Sequence, residues 1–69
     1  MDKSAIDNNF TYHAPKGDQQ KRYEMIREVA KSLAYFINDN VPESREKSLA
    51  LTKLEESVMW ANAGIARNE

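Results

Sequence analysis

The stretch LTKLEESVMWANAGIAR, residues Leu51–Arg67, decides the fold. Aliphatic residues recur in it at spacings of three and four, which places their side chains on one side of an α-helix. This stripe consists of Leu51, Leu54, Val58, Ala61 and Ile65. Trp60 and several small residues lie beside it, including Gly64, which costs about 1 kcal/mol relative to alanine inside a helix. Because small residues let a second helix approach closely, we expect this helix to be the packing spine of an assembly.

An earlier segment has the same helical period. Its main stripe consists of Tyr23, Ile26, Ala30, Leu33 and Ile37, and a second apolar row consists of Met25, Val29 and Phe36. This apolar surface is wider than the area that one neighbouring helix can cover. The sequence therefore predicts burial against more than one neighbour.

The two periodic segments are joined by a short break at Asn38–Pro42. We predict one helix over about residues 18–38 and a second over about 43–68, capped by Asn40 or Ser44, with Pro42 suited to its first turn. A connection this short makes the helices antiparallel neighbours. The predicted fold class is all-α, a two-helix antiparallel hairpin.

The chain before the first helix has a different character. Residues 1–9 are polar, and we expect them to be irregular and flexible, which leaves 10–69 as the hairpin domain. In Phe10–His13, aromatic and polar residues alternate as in a short extended arm. Phe10 and Tyr12 either staple this arm onto a helix or form one wall of a ligand pocket.

Composition limits the function. The chain has 69 residues, a net charge of −1 and no cysteine, and His13 is its only histidine. We therefore expect no DNA or RNA polymer as a partner, no disulfide, and no metal site made of thiolates or of a histidine cluster. No apolar run is long enough for a bilayer or a signal peptide, so we expect a cytoplasmic protein with no membrane partner. A domain this small buries little apolar area, which favours an oligomer.

A candidate anion site lies on the first helix. Arg27 and Lys31 are four residues apart, so both project from one side, and Tyr23 precedes them by a further four. Two cations beside an aromatic ring can hold a phosphate and stack a base. The alternative is a solvated face on which Glu24 pairs with Arg27 and Glu28 pairs with Lys31.

Other polar residues give weaker indications. Arg67 either complements the negative end of the second helix or reaches an anion across a subunit boundary. No residue forms a recognisable catalytic motif with His13, and Glu55 and Glu56 face different directions on a helix. We therefore expect neither catalysis nor a cofactor.

Three blocks of the sequence resemble one family: FTYHAPKGDQ, RYEMIREVAKSLA and PESREKSLALTKLEESVMWANAGIAR. Together they are similar to the phage anti-CBASS cyclic-nucleotide sponges, whose helical hairpin domain is shared with the thoeris anti-defence sponges. The resemblance implies a two-helix protomer in a compact homohexamer. It also implies a phage protein in the host cytoplasm that sequesters cyclic di- and trinucleotides, such as 3′,3′-cyclic GMP–AMP, without cleaving them, and so blocks CBASS immunity.

The resemblance also implies roles for single residues. Tyr12 matches the aromatic residue that stacks on a base of the dinucleotide, and Arg27 stands where the family has a basic residue, commonly lysine, facing the phosphates. Arg67 matches an arginine associated with trinucleotide binding. His13 and Lys31 are neighbouring candidates for ligand contacts.

Two other functions remain open at the level of sequence. The chain can be a small adaptor or inhibitor that docks a host protein through Trp60 and the alanine-rich helix face. It can also be a small phosphodiesterase or lyase acting through His13, although the sequence gives that histidine no partner.

Overall fold

The computed structural model describes residues 1–69 and contains helices only. These are α1 (Lys3–Asn9), α2 (Gln19–Asn40) and α3 (Arg45–Asn68). The two long predicted helices are confirmed, although α2 ends later and α3 begins later than the sequence suggested. None of the helices is long and apolar enough to cross a membrane.

The beginning of the chain differs from expectation. The prediction of irregular backbone over residues 1–9 is wrong, because helix α1 occupies most of this segment. Asp2 stands at its N-cap position, and the Asp2 carboxylate accepts a hydrogen bond from Ser4 Oγ at 2.7 Å. No residue of α1 is buried, so this helix lacks the apolar period by which the other two were found.

The segment between α1 and α2 has no regular secondary structure. Phe10 is 87% exposed and Tyr12 is 83% exposed, so neither aromatic ring staples the segment onto a helix of the same chain. Lys16 fastens the segment instead, because its Nζ donates a hydrogen bond to the backbone oxygen of Glu69 at 2.9 Å.

The turn between α2 and α3 is closed by Ser44 and Lys47. Ser44 Oγ caps α3 by accepting from the backbone N–H of Lys47 at 3.1 Å, while Pro42 lies in the turn rather than in the helix. Lys47 is 6% exposed, and its Nζ donates to the backbone oxygen of Asn38 at 2.9 Å and pairs with Glu43 at 2.6 Å. These bonds bring the end of α2 next to the start of α3, as an antiparallel hairpin requires.

The contact between α2 and α3 leaves every apolar side chain at least partly accessible, since the chain has no fully buried hydrophobic residue. On α2 the half-buried residues are Tyr23, Ile26, Ala30, Ala34 and Ile37, and on α3 they include Leu51, Leu54, Val58, Asn62 and Ile65. Leu33 and Ala61 were predicted in these stripes but are exposed, because the contact follows Ala34 and Asn62 instead.

One side of the hairpin is apolar and uncovered. We call it the apolar face, and it consists of Met25, Val29, Leu33 and Phe36 on α2 with Ala61 on α3. A shallow groove on this face is lined by Met25, Val29, Leu33 and Ala61, and Phe36 continues the same side of α2. The second apolar row predicted from the sequence therefore has no partner within the chain.

The accessible area of the chain is larger than the average for a folded monomer of its size. It measures 5605 Å², whereas a monomer of this mass exposes about 4,400 Å². The excess of about 1,200 Å² is larger than the about 800 Å² that each partner buries in an interface of standard size.

Candidate functional site

A cavity of about 350 Å³ lies where α2 begins and α3 ends. It brings together three of the residues singled out from the sequence, namely Tyr12, His13 and Arg67. The remaining lining residues are Asn8, Ala14, Lys16, Gln19, Ala66 and Glu69. We call this site the end cavity.

The framework of the end cavity is built around Glu69. Its carboxylate accepts hydrogen bonds from Arg22 Nη1 at 2.9 Å and from Gln19 Nε2 at 3.2 Å, and Arg22 Nη2 forms a second bond to the same group. Gln19 is 4% exposed, and its Oε1 accepts from the backbone N–H of Lys16 at 3.1 Å. Residues from both ends of the hairpin are thereby fixed relative to one another.

Arg22 and Glu69 form an ion pair. The hydrogen bond from Arg22, with a further one from Gln19, lowers the pKa of Glu69 to about 2. The same hydrogen bond to Glu69 raises the pKa of Arg22 above its usual value. This pair is therefore structural, and an anionic ligand must be met by other cations.

Arg67 is one such cation. It lies in the last turn of α3, as predicted, and no carboxylate pairs with it. Its guanidinium carbon is 5.9 Å from the centroid of the Trp60 ring, within the range of a cation–π contact. Trp60 is 62% exposed. The sequence suggested Trp60 as the residue that contacts a partner protein, and in the structure its ring lies against the Arg67 guanidinium.

His13 is half-buried between the arm and the hairpin. Its Nε2 lies 2.9 Å from the backbone oxygen of Asn8. Because a carbonyl oxygen only accepts, Nε2 carries a proton, and Nδ1 has no hydrogen-bond partner within the chain. In its neutral form the ring therefore offers an acceptor to a ligand.

Arg27 and Lys31 line a different site, a groove of about 650 Å³ between α2 and α3. We call it the charged groove, and its other polar residues are Glu28, Tyr35, Asn38 and Glu55. Both cations are exposed, and the alternative ion pairs with Glu24 and Glu28 are not formed. Neither cation is therefore held in an ion pair by a carboxylate of the chain.

A third cavity, of about 560 Å³, lies between the other two sites and is lined by both His13 and Arg27. Tyr23 and Asn62 also line it, and Asn62 Oδ1 is buried without a hydrogen-bond partner. The predicted site residues thus form two groups, one in the end cavity and one in the charged groove, joined by this connecting cavity.

Sequence reasoning missed the part that α1 plays in the site. Asn8 lines the end cavity and contacts both His13 and Arg67 through hydrogen bonds. The Asp at position 2, a common N-cap residue, is the sequence feature that could have revealed α1. No group of three or more His, Asp or Glu side chains is arranged to hold a metal ion.

Open cavities lined by unpaired cations and aromatic rings are chemically suited to anionic ligands. A family model described as "Acb2/Tad1, hairpin domain" matches residues 1–66, so the chain belongs to this family of anti-CBASS and anti-Thoeris sponges. At the family level these are phage cyclic-nucleotide-binding proteins rather than enzymes. The match confirms the resemblance drawn from the sequence, and it includes α1. Comparison with curated proteins and with solved structures finds no match.

Proposed function

We propose that the protein sequesters cyclic oligonucleotide second messengers intact in the host cytoplasm and thereby blocks CBASS immunity. Its ligands are cyclic dinucleotides such as 3′,3′-cyclic GMP–AMP and, at a different pocket, cyclic trinucleotides. Its working form is a homohexamer, and the ligand pockets are completed where protomers meet. No cofactor takes part.

The observation that carries this proposal is the state of Arg27 and Lys31. The two cations lie four residues apart on an exposed face of α2. The same helix carries Glu24 and Glu28, yet neither Arg27 nor Lys31 forms an ion pair. A phosphodiester is an anion that two such groups can bind together, because each cation donates charge-assisted hydrogen bonds to its oxygens. Arginine at position 27 adds a planar, two-pronged donor.

Base recognition is supported by Tyr12 and by Arg67. Tyr12 is 83% exposed beside the end cavity, so its ring is free to stack on a purine. Arg67 is held over Trp60 and keeps its charge available for the phosphates of a second class of ligand. His13 lines the end cavity together with them, and Lys31 lines the charged groove together with Arg27.

The assembly of several copies is supported by the uncovered surface of the single chain. The excess of about 1,200 Å² and the apolar face both call for further copies, and open grooves on a two-helix protomer become enclosed only when another chain covers them. We assign the apolar face to the contact between protomers.

The experiment is a titration of 3′,3′-cyclic GMP–AMP into the wild type and the double variant Tyr12→Ala/Arg27→Ala. Loss of one stacking contact and one charge-assisted hydrogen bond should weaken binding at least about a hundredfold. The matched control is Phe10→Ala/Lys21→Ala, which removes an exposed aromatic and an exposed cation from the same segments but from no cavity. Equal binding by both double variants would reject the assigned site.

Exposure of Trp60 favours the adaptor as the second candidate, since a large aromatic on an outer face is typical of a protein contact. The two functions separate in a phage infection assay with a CBASS-carrying host. Protection that survives Tyr12→Ala/Arg27→Ala but is lost with Trp60→Ala supports the adaptor.

A further inference from the structure

Helix α1 is joined to the two long helices by a single hydrogen bond, and Asn8 makes it. The Asn8 Nδ2 donates to the backbone oxygen of Arg67 at 3.1 Å. The backbone oxygen of the same residue accepts from His13 Nε2 at 2.9 Å. Asn8 is half-buried and lines the end cavity between these two partners.

We propose that Asn8 is a positioning residue of the end cavity, which holds Arg67 and the His13 ring at a fixed separation so that both meet the same cyclic oligonucleotide. This inference rests on the proposed function. It deepens that function by adding α1 to the binding site. Arg67 binds the phosphodiester of the ligand, and His13 binds the edge of its base.

The bond to Arg67 acts on the end of α3. The last four carbonyl groups of a helix have no partner within it, so the final turn frays readily. The Asn8 amide satisfies the carbonyl of Arg67 itself, in the turn that carries this guanidinium. Holding that turn in place before binding spares the ligand the entropic cost of ordering it.

The bond to His13 acts on the ring. No residue of α1 is fully buried, and the Asn8–Arg67 bond is the one hydrogen bond that ties α1 to the long helices. If α1 moves away, His13 Nε2 loses its acceptor and the ring is free to change its tautomer. Asn8 thus fixes which nitrogen of His13 is left for the ligand.

The test compares Asn8→Asp and Asn8→Ala with the control Asn9→Ala. Asn8→Asp keeps the shape but replaces the donating amide with a carboxylate, which the Arg67 carbonyl repels. Asn9 is the neighbouring residue of the same type, also half-buried, and its side chain makes no hydrogen bond. All three proteins are titrated with cyclic tri-AMP, and their melting temperature and assembly size are measured alongside.

We expect both Asn8 variants to bind cyclic tri-AMP about five- to tenfold more weakly, as the loss of one hydrogen bond implies, and Asn9→Ala to bind as the wild type does. Melting temperature and assembly size should stay unchanged in all three. Wild-type affinity in the Asn8 variants overturns the inference. So does a loss of affinity that follows an equal loss of stability, because the role of Asn8 is then only structural.

A second readout needs no ligand. Nitrogen-15 chemical shifts of the imidazole in the free protein should report the Nε2–H tautomer of His13 in the wild type and in Asn9→Ala, and a mixture of tautomers in Asn8→Ala. An unchanged tautomer in Asn8→Ala overturns the positioning of the ring. If the wild type binds no cyclic nucleotide at all, the proposed function fails, whereas the chemical shifts still decide whether Asn8 holds His13.

Discussion

Phe36→Ser is the sharpest perturbation of the apolar face. Phe36 is 66% exposed in the single chain, and a fully buried phenylalanine hides about 200 Å², so about 130 Å² is left for another protomer to cover. At about 25 cal/mol per Å², this area contributes about 3 kcal/mol to each protomer contact. Association should therefore weaken about a hundredfold at each contact that Phe36 makes.

The same substitution should leave the isolated hairpin almost unchanged. Phe36 is on the outer side of α2, and exposed substitutions of this kind shift the free energy of unfolding by less than about 0.5 kcal/mol. Far-UV circular dichroism of the diluted protein should thus match the wild type. Light scattering over a dilution series should show the assembly dissociating at a much higher protein concentration than the wild type does.

Phe10→Ser is the matched control. Phe10 is the other phenylalanine of the chain, is 87% exposed and lines neither the apolar face nor any cavity. It should assemble at nearly the wild-type concentration. Assembly of Phe36→Ser at that same concentration, or equal weakening by the two variants, would refute the assignment of the apolar face to the protomer contact.

Three further predictions concern single residues. The pKa of Glu69 is about 2, against an ordinary 4.5, so its bond to Arg22 stabilises the fold fully above pH 4.5 and is lost as the pH falls towards 2. The melting temperature of Glu69→Gln should therefore fall less over that pH range than the melting temperature of the wild type. Asn62→Leu should raise the free energy of unfolding by about 1 kcal/mol, because Asn62 Oδ1 is buried without a partner; a decrease on chemical denaturation would mean that the oxygen has a donor in the assembly. Gly64→Ala should stabilise α3 by about 1 kcal/mol, since nothing lies within 4 Å of an added Cβ; a lower melting temperature would place another helix against this position.

The sequence predicted the two long helices because their apolar residues repeat with the period of a helix. It did not predict α1, which buries none of its residues and so has no such pattern. Leu33 and Ala61 were misplaced because spacing defines a stripe only to within one neighbouring residue. Which residues make the contact depends on the angle at which α2 and α3 cross. In the structure, Ala34 and Asn62 lie at this contact.

The candidate site was predicted in part. Arg27 and Lys31 are close in sequence, so helical geometry alone brought them together. Tyr12 and Arg67 are far apart in the chain, and they share the end cavity because tertiary bonds of Glu69 and Asn8 bring the end of α3 to the start of the chain and of α2. The role of Asn8 depends on a hydrogen bond between distant segments, which no local pattern reveals.

The central claim is that the chain stores cyclic oligonucleotides without altering them. The most direct measurement is calorimetric titration of the assembled protein with 3′,3′-cyclic GMP–AMP and cyclic tri-AMP, followed by denaturation of each complex and chromatography of the released nucleotide. We expect saturable heat of binding and full recovery of intact ligand. Neither heat nor a thermal shift with any cyclic nucleotide, or recovery of linear products, would contradict it.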